Sequence, residues 1–115
     1  MELARNIDRI IEFELFDENS ETKANIEQID IIEFSFGKTC KNKQVHKYYR
    51  ADGNGEVTYD ETRQIFLVPL TQQDTITWIE PRIQVQLRIK FKDGRVEPTD
   101  IQLLDVAPVL SNEVI

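Results

Sequence analysis

A chain of 115 residues, 40% hydrophobic and 30% charged, is long enough for one domain with one core and too short for two. Its formal net charge of −7 disfavours general affinity for nucleic acid, whose phosphates attract basic surfaces. The single Cys40 leaves no internal disulfide, and no apolar run approaches the roughly 20 residues of a membrane-spanning helix. The N-terminus, acidic by Glu2, lacks a secretory signal pattern. These features predict a single domain over residues 1–115, synthesised in the cytoplasm, with neither membrane nor nucleic acid as partner.

In chain order, the first predicted strand runs from Ile7 to Phe16. Ile7, Ile11, Phe13 and Leu15 share its inward face, while Asp8, Glu12 and Glu14 share the other. Ile10 and Phe16 fall on the outward side, which predicts cover on both faces at one end. Asp17-Glu18-Asn19-Ser20 reads as a turn. Gln28 to Lys38 is a second strand with Ile32, Phe34 and Phe36 inward; Ile29 and Ile31 lie on the opposite parity, and a bulge would reconcile the two sets. Val45 to Arg50 is a short aromatic strand. Gln64 to Leu70 is an apolar strand whose Pro69 places its end at a sheet edge.

Thr71-Gln72-Gln73-Asp74 carries the helical signal of the chain. Thr71 can cap a turn and Asp74 can return to its amide, which predicts a short helical turn near residues 72–77, limited by Pro81. Arg82 to Lys92 is the clearest strand: Ile83, Val85, Leu87, Ile89 and Phe91 alternate with Gln84, Gln86, Arg88, Lys90 and Lys92. Asp93-Gly94 favours a hairpin turn, with Ile101 to Val106 as the partner strand, ended by Pro108. Short strands without long amphipathic helices predict an all-β, antiparallel β-sandwich, immunoglobulin-like or related. Its expected core is Ile11, Phe13, Leu15, Ile32, Phe34, Phe36, Phe66, Val68, Val85, Leu87, Ile89 and Leu103, with Trp78 at least half buried.

Several groups of residues bear on chemistry. Asp52-Gly53-Asn54-Gly55-Glu56-Val57-Thr58-Tyr59-Asp60-Glu61 follows the latter ten positions of a calcium-binding EF-hand loop. Arg50 stands where the first ligand belongs, and the flanks are β-like. The favoured reading is a hairpin turn in which Asn54-Gly55 supplies positive φ. His46 and Cys40 alone do not make a zinc site or an activated nucleophile. Paired acids such as Asp17/Glu18 and Asp60/Glu61 sit in predicted turns, away from any cleft. Trp78, Tyr48, Tyr49 and Tyr59 could build an aromatic binding surface. Lys38 to Arg50 holds four Lys and one Arg with no acid, while Glu12 to Glu33 holds eight acids and one Lys. This asymmetry would suit head-to-tail assembly, or simply two solvated loops of opposite sign. The residues therefore predict no catalytic, cofactor-binding or metal site.

Leu70-Thr71-Gln72-Gln73-Asp74-Thr75, the strand Gln84-Val85-Gln86-Leu87-Arg88 and the ending Val109-Leu110-Ser111-Asn112-Glu113-Val114-Ile115 together resemble a group of short structural proteins of Firmicutes phages and prophages. The opening Asn6-Ile7-Asp8-Arg9 fits the same pattern. At the level of fold, the group is similar to the N-terminal β-sandwich of siphophage upper baseplate proteins. The resemblance implies a non-enzymatic tail- or baseplate-type protein, possessing no catalytic residues to carry over. It implies protein partners through self-association or neighbouring phage structural proteins, and association with a virion. A second reading is a small carbohydrate-binding β-sandwich module that uses the exposed aromatics.

Overall fold

A computed structural model describes residues 2–4, 9–16, 22–37, 44–75, 82–100 and 102–107, with 2–4, 82 and 102–107 described by their backbone alone. The strands are β1 (Glu2–Ala4), β2 (Arg9–Phe13), β3 (Ile29–Gly37), β4 (Val45–Arg50), β5 (Thr58–Asp60), β6 (Ile65–Leu70), β7 (Arg82–Phe91), β8 (Val96–Pro98) and β9 (Gln102–Ala107). They form a two-sheet β-sandwich. The large sheet has the order β1-β9-β7-β3-β4, with β8 also on β7; the small sheet is β2-β6-β5. Every named pair is antiparallel except β1 with β9, which is parallel.

The long strands lie where alternation placed them. In β7, Ile83, Val85, Leu87 and Ile89 are buried, and Arg88 and Lys90 are exposed. In β3, Ile32, Phe34 and Phe36 are buried, and the β3–β7 register shifts between Ile29 and Ile31. That bulge turns Ile29 inward beside Ile32 and leaves Ile31 half-exposed. Across the sandwich, Ile11, Phe66, Val68 and Leu70 of the small sheet complete the core. Phe13 and Leu15 are half-buried against it. Ile29, Val57, Leu70 and Ile83 join the core beyond the expected set. Leu103 pairs with Gln84 in the ladder, and its side chain, like Trp78, lies outside the described residues.

Several boundaries differ from expectation. β2 stops at Phe13, and Phe16 makes an isolated bridge to Lys23. Ile10 is 62% exposed and Phe16 43%, so that end is not covered on both faces. Pro69 lies in the middle strand of the small sheet, paired with Ile10 on β2; β5 reaches only Ile65 to Leu67, so Pro69 falls beyond its end. β5 itself has only three residues, too few for periodicity to reveal.

The turn after β7 forms at Asp93-Gly94 as expected, with Gly94 at φ +93° and its N–H donating to Phe91 O at 2.9 Å. The partner strand is divided. β8 pairs first, Arg88 with Pro98; β9 then pairs Val85 with Gln102, so two residues of β7 face three on the other side. Thr99 spans this bulge. Its N–H donates to Leu87 O at 2.8 Å and its Oγ1 accepts from Leu87 N–H at 3.0 Å. A side-chain oxygen thus stands in for a ladder carbonyl.

The helical turn spans Gln72–Thr75 and is designated α1. Its capping box is present: Thr71 N–H donates to Asp74 Oδ2 at 2.9 Å, and Asp74 N–H to Thr71 Oγ1 at 3.2 Å. A second short element, a 3₁₀ turn at Ile26–Gln28, was not signalled by a hydrophobic period; Asn25 caps it by accepting from Glu27 N–H at 3.0 Å.

Lys47 sits opposite Phe34 and so on the inner face of β4. Its ammonium reaches Asp74 Oδ2 at 2.9 Å, with both side chains about four-fifths buried (17% and 20% exposed). The apolar stem covers core while the charge leaves toward α1. Burial pushes the Asp74 carboxyl up, but the Thr71 amide and the Lys47 ammonium outweigh it and hold the group below its ordinary value. A carboxyl depressed in the folded state stabilises above the unfolded value of about 3.9 and loses that contribution as pH falls through the folded value. Asp74→Asn is therefore expected to cost about 1–2 kcal/mol at neutral pH. In urea titrations at stepped pH, its deficit against wild type should shrink below pH ~4 and then vanish. A deficit independent of pH would place the effect elsewhere.

Candidate functional site

Among the described residues, the outer face of the large sheet carries a row of polar side chains across three strands. β3 contributes Glu33, Ser35 and Gly37; β4 contributes Tyr48 and His46 opposite the first two, and β7 contributes Arg88, Gln86 and Gln84 opposite all three. Tyr48 sends its backbone N–H and C=O away from β3, toward the segment at Glu56 and Val57. Glu33–Tyr48 and Ser35–His46 are therefore non-hydrogen-bonded pairs of this ladder, in which side chains approach most closely.

Both pairs are joined. Tyr48 O–H donates to Glu33 Oε2 at 3.0 Å, and Arg88 Nη2 donates to the same oxygen at 3.2 Å. The Tyr48 hydroxyl is pushed above its ordinary value, first by burial and then by its bond to Glu33 and that carboxylate's charge. Ser35 Oγ lies 2.8 Å from His46 Nδ1. Beside them runs a trough of about 410 Å³ whose floor is Ser35 and Gly37, with Gln44 and His46 on one wall and Gln84 and Gln86 on the other. Gln86 is held by Nε2–H donation to Thr99 O at 2.9 Å.

The side chains around the trough offer hydrogen-bonding groups, and the Glu33 carboxylate and Arg88 guanidinium beside it are paired with each other. Nucleophilic chemistry at Ser35 would need a group orienting the far ring nitrogen of His46. Among the described residues the nearby carboxylate, Glu33, is instead committed to Tyr48 and Arg88.

A second concavity, about 780 Å³, lies at the end of the sandwich near the β7–β8 hairpin. Leu15, Phe16, Ile29, Ile89 and Phe91 supply apolar walls, and Arg95, Glu97 and Asp100 supply charges. Lys23 Nζ stands 5.4 Å from the Phe16 ring centroid, and the Arg95 guanidinium 4.5 Å from that of Phe91. Such stacking keeps aromatic surface half-wet at modest gain. Neither concavity was foreseen, because each is assembled from residues distant in sequence.

The calcium-like loop is built otherwise than a cation site. Asp52 Oδ1 accepts from Asn54 N–H at 2.9 Å. Asp60 accepts from Thr62 N–H, Arg63 N–H and Arg63 Nε–H, and Arg63 first of all holds the Asp60 carboxyl below its ordinary value. No three His, Cys, Asp or Glu residues group to hold a metal among the described residues. The segment does not close a hairpin: β4 belongs to the large sheet and β5 to the small one, the isolated Tyr49–Val57 bridge is parallel, and the positive φ is at Gly53 (+83°) rather than at Asn54-Gly55.

Among the described residues the three tyrosines do not share a platform; Trp78 lies outside the described residues. Tyr49 and Tyr59 turn inward, with ring centroids 5.2 and 4.8 Å from that of Phe66. Tyr48 turns outward, with the Arg50 guanidinium 5.1 Å from its ring centroid. Successive residues of a strand face opposite ways, so Tyr48 and Tyr49 cannot form one surface. Cys40 and the basic residues 38–43 lie outside the described residues. Of the remaining cations in that stretch, Lys47 is paired with Asp74 and Arg50 stacks on Tyr48. Among the described residues no helix is long and apolar enough to cross a membrane. Comparison with protein-family models, with curated proteins and with solved structures returns no match, so the functional reading rests on the chain's own residues.

Proposed function

We propose that this domain is a non-enzymatic structural or assembly protein of the phage or prophage tail and baseplate type, acting through protein–protein contacts. The observation that carries the reading is the concavity at the sandwich end. It sets a 43% exposed Phe16 beside apolar walls and a mixed-charge rim. An aromatic anchor in a partly desolvated pocket, ringed by polar groups, is the usual arrangement of an interface hot spot. The β-sandwich architecture agrees with the resemblance in sequence.

The test is Phe16→Ser in the full chain. Sedimentation of wild type from micromolar to millimolar concentration should show self-association, or binding to a purified structural protein encoded beside it. Phe16→Ser should weaken that association by at least about tenfold, as loss of a hot-spot aromatic does. A wild-type chain that stays monomeric and binds none of those gene products would sink the reading.

A further inference from the structure

The exposed edge of β4 is occupied by the chain's own turn. In an antiparallel strand, alternate residues send their backbone groups to the same edge, so His46, Tyr48 and Arg50 all face away from β3. Two of these three are engaged by the segment 53–57. Tyr48 N–H donates to Glu56 Oε1 at 2.9 Å, and Val57 N–H donates to Tyr48 O at 3.1 Å. Gly53 N–H donates to Arg50 O at 3.0 Å. The segment lies against the strand so tightly that a Cβ on Gly55 would fall 2.2 Å from Tyr48 O. Val57, 3% exposed, pins its far end in the core.

We infer that residues 51–57 form an edge guard that closes β4 to strand addition, and that the occupant it excludes is β4 of a second copy of this chain. The Glu56 carboxylate takes the place of a neighbouring strand's carbonyl at Tyr48. An antiparallel pair of two β4 strands centred on Tyr48 would exchange the same two bonds, Tyr48 N–H to Tyr48 O of the other copy in both directions. Uncovered edges of this kind pair with one another readily, and natural sheets block them with charges or with a covering loop. Here one carboxylate and one backbone N–H serve that purpose at a single residue. The inference is independent of the contact proposed at the sandwich end, which lies on other residues.

Glu56→Ala tests it, with Glu56→Gln as the conservative control that keeps an acceptor. By hydrogen exchange in dilute solution, the Tyr48 amide of Glu56→Ala should exchange about tenfold faster than in wild type or Glu56→Gln, as expected for one lost charge-assisted bond. In concentrated solution Glu56→Ala should dimerise at a concentration about tenfold below either of them, and the dimer should protect the His46 and Arg50 amides. Unchanged Tyr48 exchange would overturn the guard. So would association of Glu56→Ala no stronger than wild type, or a dimer that leaves His46 and Arg50 unprotected. Dimerisation of wild type itself through β4 would equally refute it, whereas association that Phe16→Ser abolishes would not bear on it.

Discussion

Phe34→Ala is expected to destabilise the domain by about 3–5 kcal/mol, read from the midpoint of equilibrium urea unfolding. Phe34 is fully buried on the inner face of β3, the strand between β7 and β4. Its ring centroid lies 5.3 Å from that of Phe13 and 6.0 Å from that of Phe66, both on the small sheet. It is therefore one of the side chains through which the two sheets grip each other, together with Phe36 on Phe13 and Tyr49 on Phe66. Truncation removes aromatic contacts on both sides and leaves a cavity that two paired ladders prevent from collapsing. A domain of this size is commonly stable by about 5–15 kcal/mol, so the variant should lie close to the unfolding threshold. The companion substitution Ile10→Ser, at a side chain 62% exposed, should stay within about 0.5 kcal/mol of wild type. A Phe34→Ala loss below about 1 kcal/mol would mean that the inner face is not packed in this way.

The contrast between Phe34 and Ile10 also marks how far the sequence could be read. Where both faces of a strand differ in polarity over many residues, alternation identifies the strand and its buried side; β7 and β3 are of that kind, and even the Ile29/Ile31 bulge followed from the clash of two parities. The capping box at Thr71 and Asp74 was legible for a different reason. It is local, with both partners within four residues. What escaped was non-local or very short. β1 and β5 have three residues each, too few for a period. β8 and β9 merge into one interrupted strand only because Thr99 can bond to Leu87, a choice made by the partner strand. Ile10 looked like a residue to be covered on a second face, but only the assembled sheet shows that nothing described lies over it.

The candidate sites were less legible than the fold. The loop Asp52 to Glu61 drew attention because its spacing matched a cation site. Its oxygens are instead directed at neighbouring backbone amides and at Arg63, which ligand spacing cannot reveal. Lys47 seemed part of a basic surface, yet its parity with Phe34 sends it through the inner face to Asp74. Ser35 and His46 lie eleven residues apart and meet only through the β3–β4 register. Among the described residues of that basic stretch, strand parity and pairing decide how Lys47 and Arg50 are presented.

Gly55→Ala should be more damaging than alanine at Gly53 or Gly94, at about 1–3 kcal/mol or more, although Gly55 needs no special backbone angle. The Cβ would lie 2.2 Å from Tyr48 O and 3.0 Å from Arg50 N, both backbone atoms of a strand held by β3. A flexible side chain could step aside; a paired strand cannot. The segment must then lift, which breaks the Val57 N–H bond to Tyr48 O and draws Val57 from the core. At Gly53 and Gly94 the situation is reversed. Each has a positive φ, and a Cβ on either would meet nothing within 4 Å. Alanine there pays only the left-handed backbone cost of about 1–2 kcal/mol. Thermal unfolding should therefore rank Gly55→Ala below Gly53→Ala and Gly94→Ala, at roughly 4 °C per kcal/mol for a domain of this length. Hydrogen exchange should separate the causes: Tyr48 should lose protection selectively in Gly55→Ala, because only there does the substituted residue press on the β4 edge. If the three variants melted alike, with Tyr48 equally protected in all, close contact between the turn and β4 would not be what demands glycine at position 55.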